Sequence, residues 1–322
     1  MPLVAVGAQK TKALTDVRRF YRLCKHCHGA PRSRRSIHRH MKMALRSLLV
    51  APWSFQWFEF LELNPLANAF LQSNPRLAEK SYRDYLRNTL NPQQRVETLQ
   101  THYRILQQHF PRPVWQNLAR SQSERMRLAV LTGRAGEVFH IDLLQTPFPK
   151  EGELALQMFD VALNMAITTM TFTLCGSPEH PVINIGGLQG IRGITSPEPI
   201  RRATRALHGL RPKHAVLLAM CELGKWLGAD HTVAVGLQNH IYCKKGRRPK
   251  KIKADYDAFW IEQNASRLTE GDFQIPNSRP FRPMEEIACN KRAEHRRRNA
   301  LIEQMQQQML DSLGNNLSSA SR

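Results

Sequence analysis

The chain has 322 residues, 42% of them hydrophobic, and 47 Lys and Arg against 26 Asp and Glu, a formal net charge of +21. That length can bury a sizeable core in one large or two modest domains. The charge points to anionic partners: nucleic acid, an acidic membrane surface or a phosphate-bearing ligand.

The N-terminus, MPLVAVGAQKTKALTDVRRFYRL, has no apolar stretch between a basic start and a small-residue cleavage site. No uncharged apolar run approaches the roughly 18 residues a spanning helix needs. A soluble cytoplasmic protein is therefore expected, at most peripheral on the inner membrane. Residues 1 to about 50 form a basic N-terminal segment in which Arg18, Arg19, Arg22, Lys25, Arg32, Arg34, Arg35, Arg39, Lys42 and Arg46 face the acid Asp16. Within it, LCKHCHGA contains C-x-x-C-H, the haem-attachment string, and Cys24, Cys27 and His28 also suit zinc. Haem attachment needs an exported protein, and no second C-x-x-C completes a thiolate site. The expectation is thus a basic amphipathic segment carrying two reduced thiols, with no metal. From Ser36 to Val50, Ile37, Met41, Ala44, Leu45 and Leu48 recur at helical spacing beside a cationic face. This stripe either packs on the core or serves an anion-binding or membrane-facing role.

Residues 51–124 read as a helical subdomain. Asn64-Pro65, Asn74-Pro75 and Asn91-Pro92 each place a capping side chain before a proline suited to a first turn. From 125 to 245 an α+β sheet domain is expected. MRLAVLTG, EVFHIDLLQ, ELALQMFD, MAITTMTFTLCG and PVINIGGLQG are short β-rich runs separated by turn residues, as in an antiparallel meander. A helix follows from Ser196 and stops at Gly209. Pro212 opens a second helix, apolar nearly all round over 215–227, and HTVAVG reads as a buried strand after it. A run of seven cations from Lys244 to Lys253 leads into residues 246–310, a basic C-terminal extension with an acidic-aromatic stretch at Asp255 to Trp260 and a final polar helix. Residues 311–322 are expected to be a disordered tail.

GGLQG at 186–190, RRATRALHGLRPKHAVLLAM at 201–220, KIKADYDAFW at 251–260 and EEIACNKRAEHRRRNALIE at 285–303 together resemble the VirK/YbjX family of proteobacterial proteins. The resemblance implies a setting in envelope remodelling, stress response, virulence and resistance to antimicrobial peptides; it implies no particular activity.

The order of elements is also similar to that of a GNAT-like acyltransferase, in which amides at the start of a central helix hold the pyrophosphate of an acyl carrier. The cradle would be Gly209, Arg211, Lys213 and His214, taking acyl-CoA or an acyl-carrier protein as donor. Pro212 removes one of its amides, the usual R-x-x-G-x-G/A loop is missing, and an extra helix intervenes. Asn239, His240 and Tyr242 just past the strand, and His208 before the cradle, are candidate acids or bases, and Glu151 and Glu153 candidate carboxylate bases. Turn and strand-edge roles are open for the two acids, and helix-end roles for His208 and His214. Gly186, Gly187 and Gly190 around Gln189 permit either a ligand or a β-bulge. A non-enzymatic docking protein, held by its basic clusters to an anionic membrane or an envelope-assembly partner, is the alternative. Nucleic acid ranks last, since no recognition signature or stacking platform is present.

Overall fold

The computed structural model describes residues 3–191, 193, 196–243, 255–276 and 280–318, so the basic run from Lys244 to Lys253 lies outside the described residues. The architecture is α+β, built on an eight-stranded mixed sheet of order β1-β2-β3-β4-β5-β6-β8-β7. The five runs of the meander form β1 (Arg125–Thr132), β2 (Val138–Gln145), β3 (Leu154–Asp160), β4 (Met165–Gly176) and β5 (Pro181–Gln189), each antiparallel to the next. β6 (His231–Ala234) pairs with β5 in parallel, and β8 (Phe273–Ile275) joins β6 antiparallel with β7 (Ser266–Arg267) beyond it. The two short outer strands lie between the acidic-aromatic stretch and the final polar helix, where the sequence carries no strand pattern.

Cross-strand register separates the two faces of the sheet. Ile141, Met158, Leu143, Leu156, Met170, Phe172, Leu174, Ile183 and Ile185 fall on one face, and all are fully buried. That face is covered by α8 (Pro212–Trp226), whose Gly224 packs on Ile183, and by the terminal helix α10 (Arg292–Ser318). The helix α7 (Glu198–Ala206) precedes α8, and α9 (Tyr256–Glu262) precedes β7. The opposite face carries Asp142, Gln157, Thr169, Thr171, Thr173 and Asn184, polar yet buried, beneath the helical N-terminal part. Tyr85 Oη, for example, hydrogen-bonds Thr173 Oγ1 at 2.8 Å.

That part comprises α1 (Leu3–His28), α2 (Arg34–Leu49), α3 (Trp53–Leu63), α4 (Pro65–Ser73), a 3-10 segment (Pro75–Tyr82), α5 (Pro92–His109) and α6 (Arg112–Arg120). Asn64 Oδ1 accepts from Ala67 N at 2.9 Å, and Asn91 forms a reciprocal capping box with Gln94. Asn74 departs from the expectation: it makes no side-chain cap and precedes the 3-10 segment instead of an α-helix. The segment is nonetheless tied to the sheet, because buried Lys80 pairs with Glu153 and donates to Gly152 O at 3.1 Å. One hydrophobic core runs from Leu23 to Leu313, so the changes of element type near 51, 125 and 246 fall within shared packing.

One expectation is corrected, and of the two readings of the α2 stripe one is excluded. The tail from 311 is not disordered throughout, since α10 continues to Ser318, with Leu313 buried and Ser312 Oγ donating to Leu128 O at 3.0 Å. Upstream on α10, Gln308 bonds both the N–H and the carbonyl of Val130, occupying the free edge of β1. The apolar stripe of α2 does not pack on the core; the helix buries Met43 and Ser47 and turns Ile37, Met41, Leu45 and Leu48 outward.

Candidate functional site: the opening between β5 and β6

β5 and β6 stay paired from Val182 to Ile185, and their last shared bond runs from Val235 N to Ile185 O at 2.9 Å. Beyond it β5 continues to Gln189, while the other chain turns away at Gly236 into a 3-10 turn over Leu237–Asn239. A bulge opposite Thr171 and Phe172 leaves Gly186 without a partner on β4. The bulge faces the loop between β2 and β3, which brings in Glu151. A methyl group on Gly186 would stand 1.9 Å from Glu151 O, and one on Gly187 2.0 Å from Glu151 Oε2. The glycine pair therefore admits the chain's own carboxylate.

α9 supplies the plug for this opening. Asp255 Oδ1 caps the helix through Ala258 N at 3.0 Å, which aims Tyr256 at the frayed edge of β5. Its hydroxyl donates to Leu188 O at 3.1 Å and lies 3.4 Å from Leu188 N and 3.3 Å from Gln189 Nε2. Gln189 Nε2 also donates to Glu151 Oε1 at 2.8 Å. Burial, followed by the Glu151 charge, holds the Tyr256 phenol well above its usual range, so it keeps its proton. His240 packs 5.0 Å from the Tyr256 ring and is pushed down to about 4 by burial, which leaves it neutral near pH 7. Tyr242, partly exposed, stands 5.6 Å from His240, with Lys150 Nζ 5.8 Å from its ring centre.

Cavities open at the amide end of α8. Arg211 is the N-cap in extended conformation, makes no side-chain cap, and is followed by Pro212. First-turn amides have no acceptor within their own helix. A groove of about 310 Å³ lies here between Gly190, Arg211, Lys213, Asp255 and Phe259. On the other side of the same turn a cavity of about 590 Å³ is lined by His214, Arg282, His295 and Arg298. Glu262 borders both and pairs with Arg211 at 2.6 Å. Burial lowers the Lys213 ammonium, Glu262 opposing, and its Nζ lies 5.7 Å from the centre of the Phe259 ring.

The structure thus brings together Glu151, Gln189 and His240 at the strand opening, beside Gly186 and Gly187. It gathers Gly190, Arg211, Lys213 and His214 around the α8 cavities. Other candidates lie elsewhere or have their polar groups committed. Glu153 is buried between Lys80 and the Tyr103 hydroxyl, the latter at 2.8 Å, on the side of the helical subdomain. Asn239 Nδ2 donates to Glu270 O at 2.7 Å and Asp272 Oδ1 at 2.8 Å, fixing the turn after β6. His208 and Gly209 both have positive φ, 52° and 79°, and form the turn that ends α7; the glycine is its stop and not part of an amide cradle.

Sequence reasoning gave no role to Arg87, which donates to Asn184 Oδ1 at 2.6 Å and pairs with buried Asp272 at 3.0 Å, locking the helical part onto β5 and β8. Tyr256 was visible only as one member of an acidic-aromatic helix start. Cys24 is buried and Cys27 donates to Pro75 O at 2.9 Å; burial pushes both thiols up to about 12. Among the described residues no group of three His, Cys, Asp or Glu is placed to hold a metal. Nor is any helix among them long and apolar enough to cross a membrane.

The model of a family described as protein of unknown function (DUF535) matches residues 32–311. "Uncharacterized protein YbjX" of Escherichia coli (strain K12) is 33% identical over 83% of this chain and 81% of its own length. An "Uncharacterized protein" of Haemophilus influenzae is 24% identical over 79% of this chain and 86% of its own. No solved structure matches. With the family model matching residues 32–311 and a relative 33% identical over 83% of the chain, the protein belongs to the VirK/YbjX, or DUF535, family.

Proposed function

We propose that this protein is an acyltransferase of GNAT-like fold that takes its acyl group from a phosphopantetheine thioester, acyl-CoA or acyl-carrier protein. The observation that supports the reading is the groove at the start of α8, which reaches from Gly190 at the end of β5 to Asp255 and Phe259 of α9. The donor's phosphates would meet the N-terminus of α8, where unpaired amides and the helix dipole favour an anion. Here Arg211, Lys213 and Arg298 supply positive charge and His214 a polar ring, with Glu262 to be drawn away from Arg211. The Leu188 peptide, satisfied by the Tyr256 hydroxyl, is the edge such a ligand would share.

In transfer, the acceptor's nucleophile adds to the thioester carbonyl, the C–S bond breaks, and the acceptor's proton leaves. Glu151, positioned through Gln189, is the base for that proton and, once protonated, can pass it to the departing thiolate, which leaves as the thiol. Glu151 is fully buried, so an acceptor reaches it only when the Tyr256–Gln189 contacts open. Acyl transfer suits the envelope-remodelling and antimicrobial-peptide-resistance setting that the family resemblance implies, and its thioester donors place the reaction in the cytoplasm, on or near the inner membrane.

The test is titration of the full chain with CoA, acyl-CoA and acyl-carrier protein by calorimetry and thermal shift, with thiol release followed separately. Arg211→Glu with Lys213→Glu should weaken donor binding by about tenfold or more. Glu151→Gln should retain binding and lose thiol release. Absence of binding by every thioester at millimolar concentration overturns the reading.

A further inference from the structure

A second surface, remote from the β5–β6 opening, is built by α2 and the 3-10 segment. α2 is held by a narrow face: Ser33 Oγ caps Ser36 N at 3.1 Å, Ser54 Oγ donates to Ser47 O at 2.5 Å, and Met43 is buried. The rest of the helix is open. Met41, Leu45, Leu48 and Leu49 are 66, 61, 63 and 75% exposed. At about 100° per residue, Ile37, Met41, Leu45 and Leu48 fall within an arc of roughly 80°. Val17 and Tyr21 of α1 are exposed as well.

The flank of that stripe is cationic. Arg39, Lys42, Arg46 and Arg76 surround a cavity of about 350 Å³ whose floor includes His28 and Tyr82. Glu79, also at the cavity, is buried and already engaged by Arg83 and His28. Among the described residues Arg39, Lys42, Arg46 and Arg76 have no carboxylate partner. An outward apolar stripe edged by unpaired cations matches the two layers of one partner: acyl chains below, phosphate headgroups above.

We propose that α2 docks the protein on an anionic phospholipid bilayer, with Ile37, Met41, Leu45 and Leu48 entering the acyl boundary and the cationic cavity receiving lipid phosphates. This inference does not depend on the acyl-transfer reading. A protein partner would need one apolar patch facing this stripe and carboxylates facing the cavity; the bilayer supplies both along the full helix, and the charge balance favours it.

The test is co-sedimentation of the full chain with vesicles of phosphatidylcholine alone and with phosphatidylglycerol added, at low and high salt. Binding is expected only with the anionic lipid, and is expected to fall with salt. Each cation near such a surface changes the partition by about fivefold, so Arg39→Ala with Arg46→Ala should weaken it about thirtyfold. Leu45→Glu with Leu48→Glu should abolish it. Ile261→Glu, at an exposed site on α9, is the control and should bind as the parent does. Circular dichroism melting verifies that all variants remain folded. Inorganic phosphate should compete no better than chloride at equal ionic strength. Equal recovery with both lipids, unaltered binding by Leu45→Glu with Leu48→Glu, or displacement by phosphate alone would each overturn the proposal.

Discussion

The contact between the glycine pair and Glu151 yields the sharpest stability prediction. In Gly187→Ala the new methyl would lie 2.0 Å from Glu151 Oε2 and 2.5 Å from Glu151 Cδ, so the carboxylate must move by about 1 Å or more to restore an ordinary contact. The loop is closely packed, and the movement breaks the Gln189–Glu151 hydrogen bond. Overpacking of this kind costs about 1–3 kcal/mol, and a lost bond to a charged group adds about 1.5–3 kcal/mol. The expected destabilisation is thus about 3 kcal/mol. Removing the obstructing group should relieve it: in a Glu151→Ala background Gly187→Ala should cost less than about 1 kcal/mol, a coupling near 2 kcal/mol. Gly186→Ala has the opposite behaviour. Its methyl meets the backbone oxygen of Glu151 at 1.9 Å and Leu86 Cδ1 at 2.8 Å, neither of which Glu151→Ala removes. Its cost should be about 3 kcal/mol or more and should add to that of Glu151→Ala. Urea unfolding of the five variants and the parent measures all of these terms. Additive costs for the Gly187 pair, or coupling at Gly186 as large as at Gly187, would refute the placement of Glu151 against the bulge.

Three further outcomes follow from buried polar groups. Lys80→Met leaves Glu153 buried without its cation and should destabilise by about 3–5 kcal/mol, whereas Lys80→Met with Glu153→Leu should cost less than the single change, read by the same unfolding assay. Tyr256→Phe removes the hydroxyl from Leu188 and should cost about 1–3 kcal/mol, with faster hydrogen exchange at the Leu188 amide as its local signature. Burial holds His102 at about 3 and His240 at about 4, both below the ordinary value of 6.5. The unfolded chain therefore binds protons below pH 6.5 that the native protein refuses, and stability falls as pH drops from 6.5 toward those values. At pH 5 the loss should be about 2 kcal/mol per histidine relative to pH 7. In His240→Gln that loss should shrink by one such share; an unchanged pH slope between 7 and 5 would contradict the burial of the neutral ring.

Much of the sheet was legible because its signal is local. Each of the first five strands alternates or runs apolar for seven to twelve residues and is closed by turn residues, and the observed bounds fall within a residue or two of those runs. The all-round apolar helix after Pro212 likewise reads as one covered on several sides, which α8 is. β7 and β8 were illegible for the same reason in reverse: two and three residues are too few for a period, and they exist because β6 offers an edge. The extension of α10 past 311 was hidden by polar composition. A single apolar contact per turn, Met305, Met309 and Leu313, suffices when β1 lies beneath.

Periodicity also carries no direction. Ile37, Met41, Leu45 and Leu48 repeat as a buried stripe would, but packing rewards the face that comes closest, and α2 meets α1, α3 and the 3-10 segment through Ser36, His40, Met43 and Ser47. Small and polar groups there find specific acceptors, Ala30 O for Ser36 at 2.9 Å and Gly29 O for His40 at 3.0 Å, which the larger leucines would have displaced. The same asymmetry governs GGLQG. Absence of a side chain announces that something approaches the strand, but whether it is a ligand or the chain's own loop depends on residues far away in sequence. Here the approach is by Glu151, and the ligand question passes to the next residues along β5, where Gln189 holds that carboxylate and Gly190 opens into the groove beside Lys213.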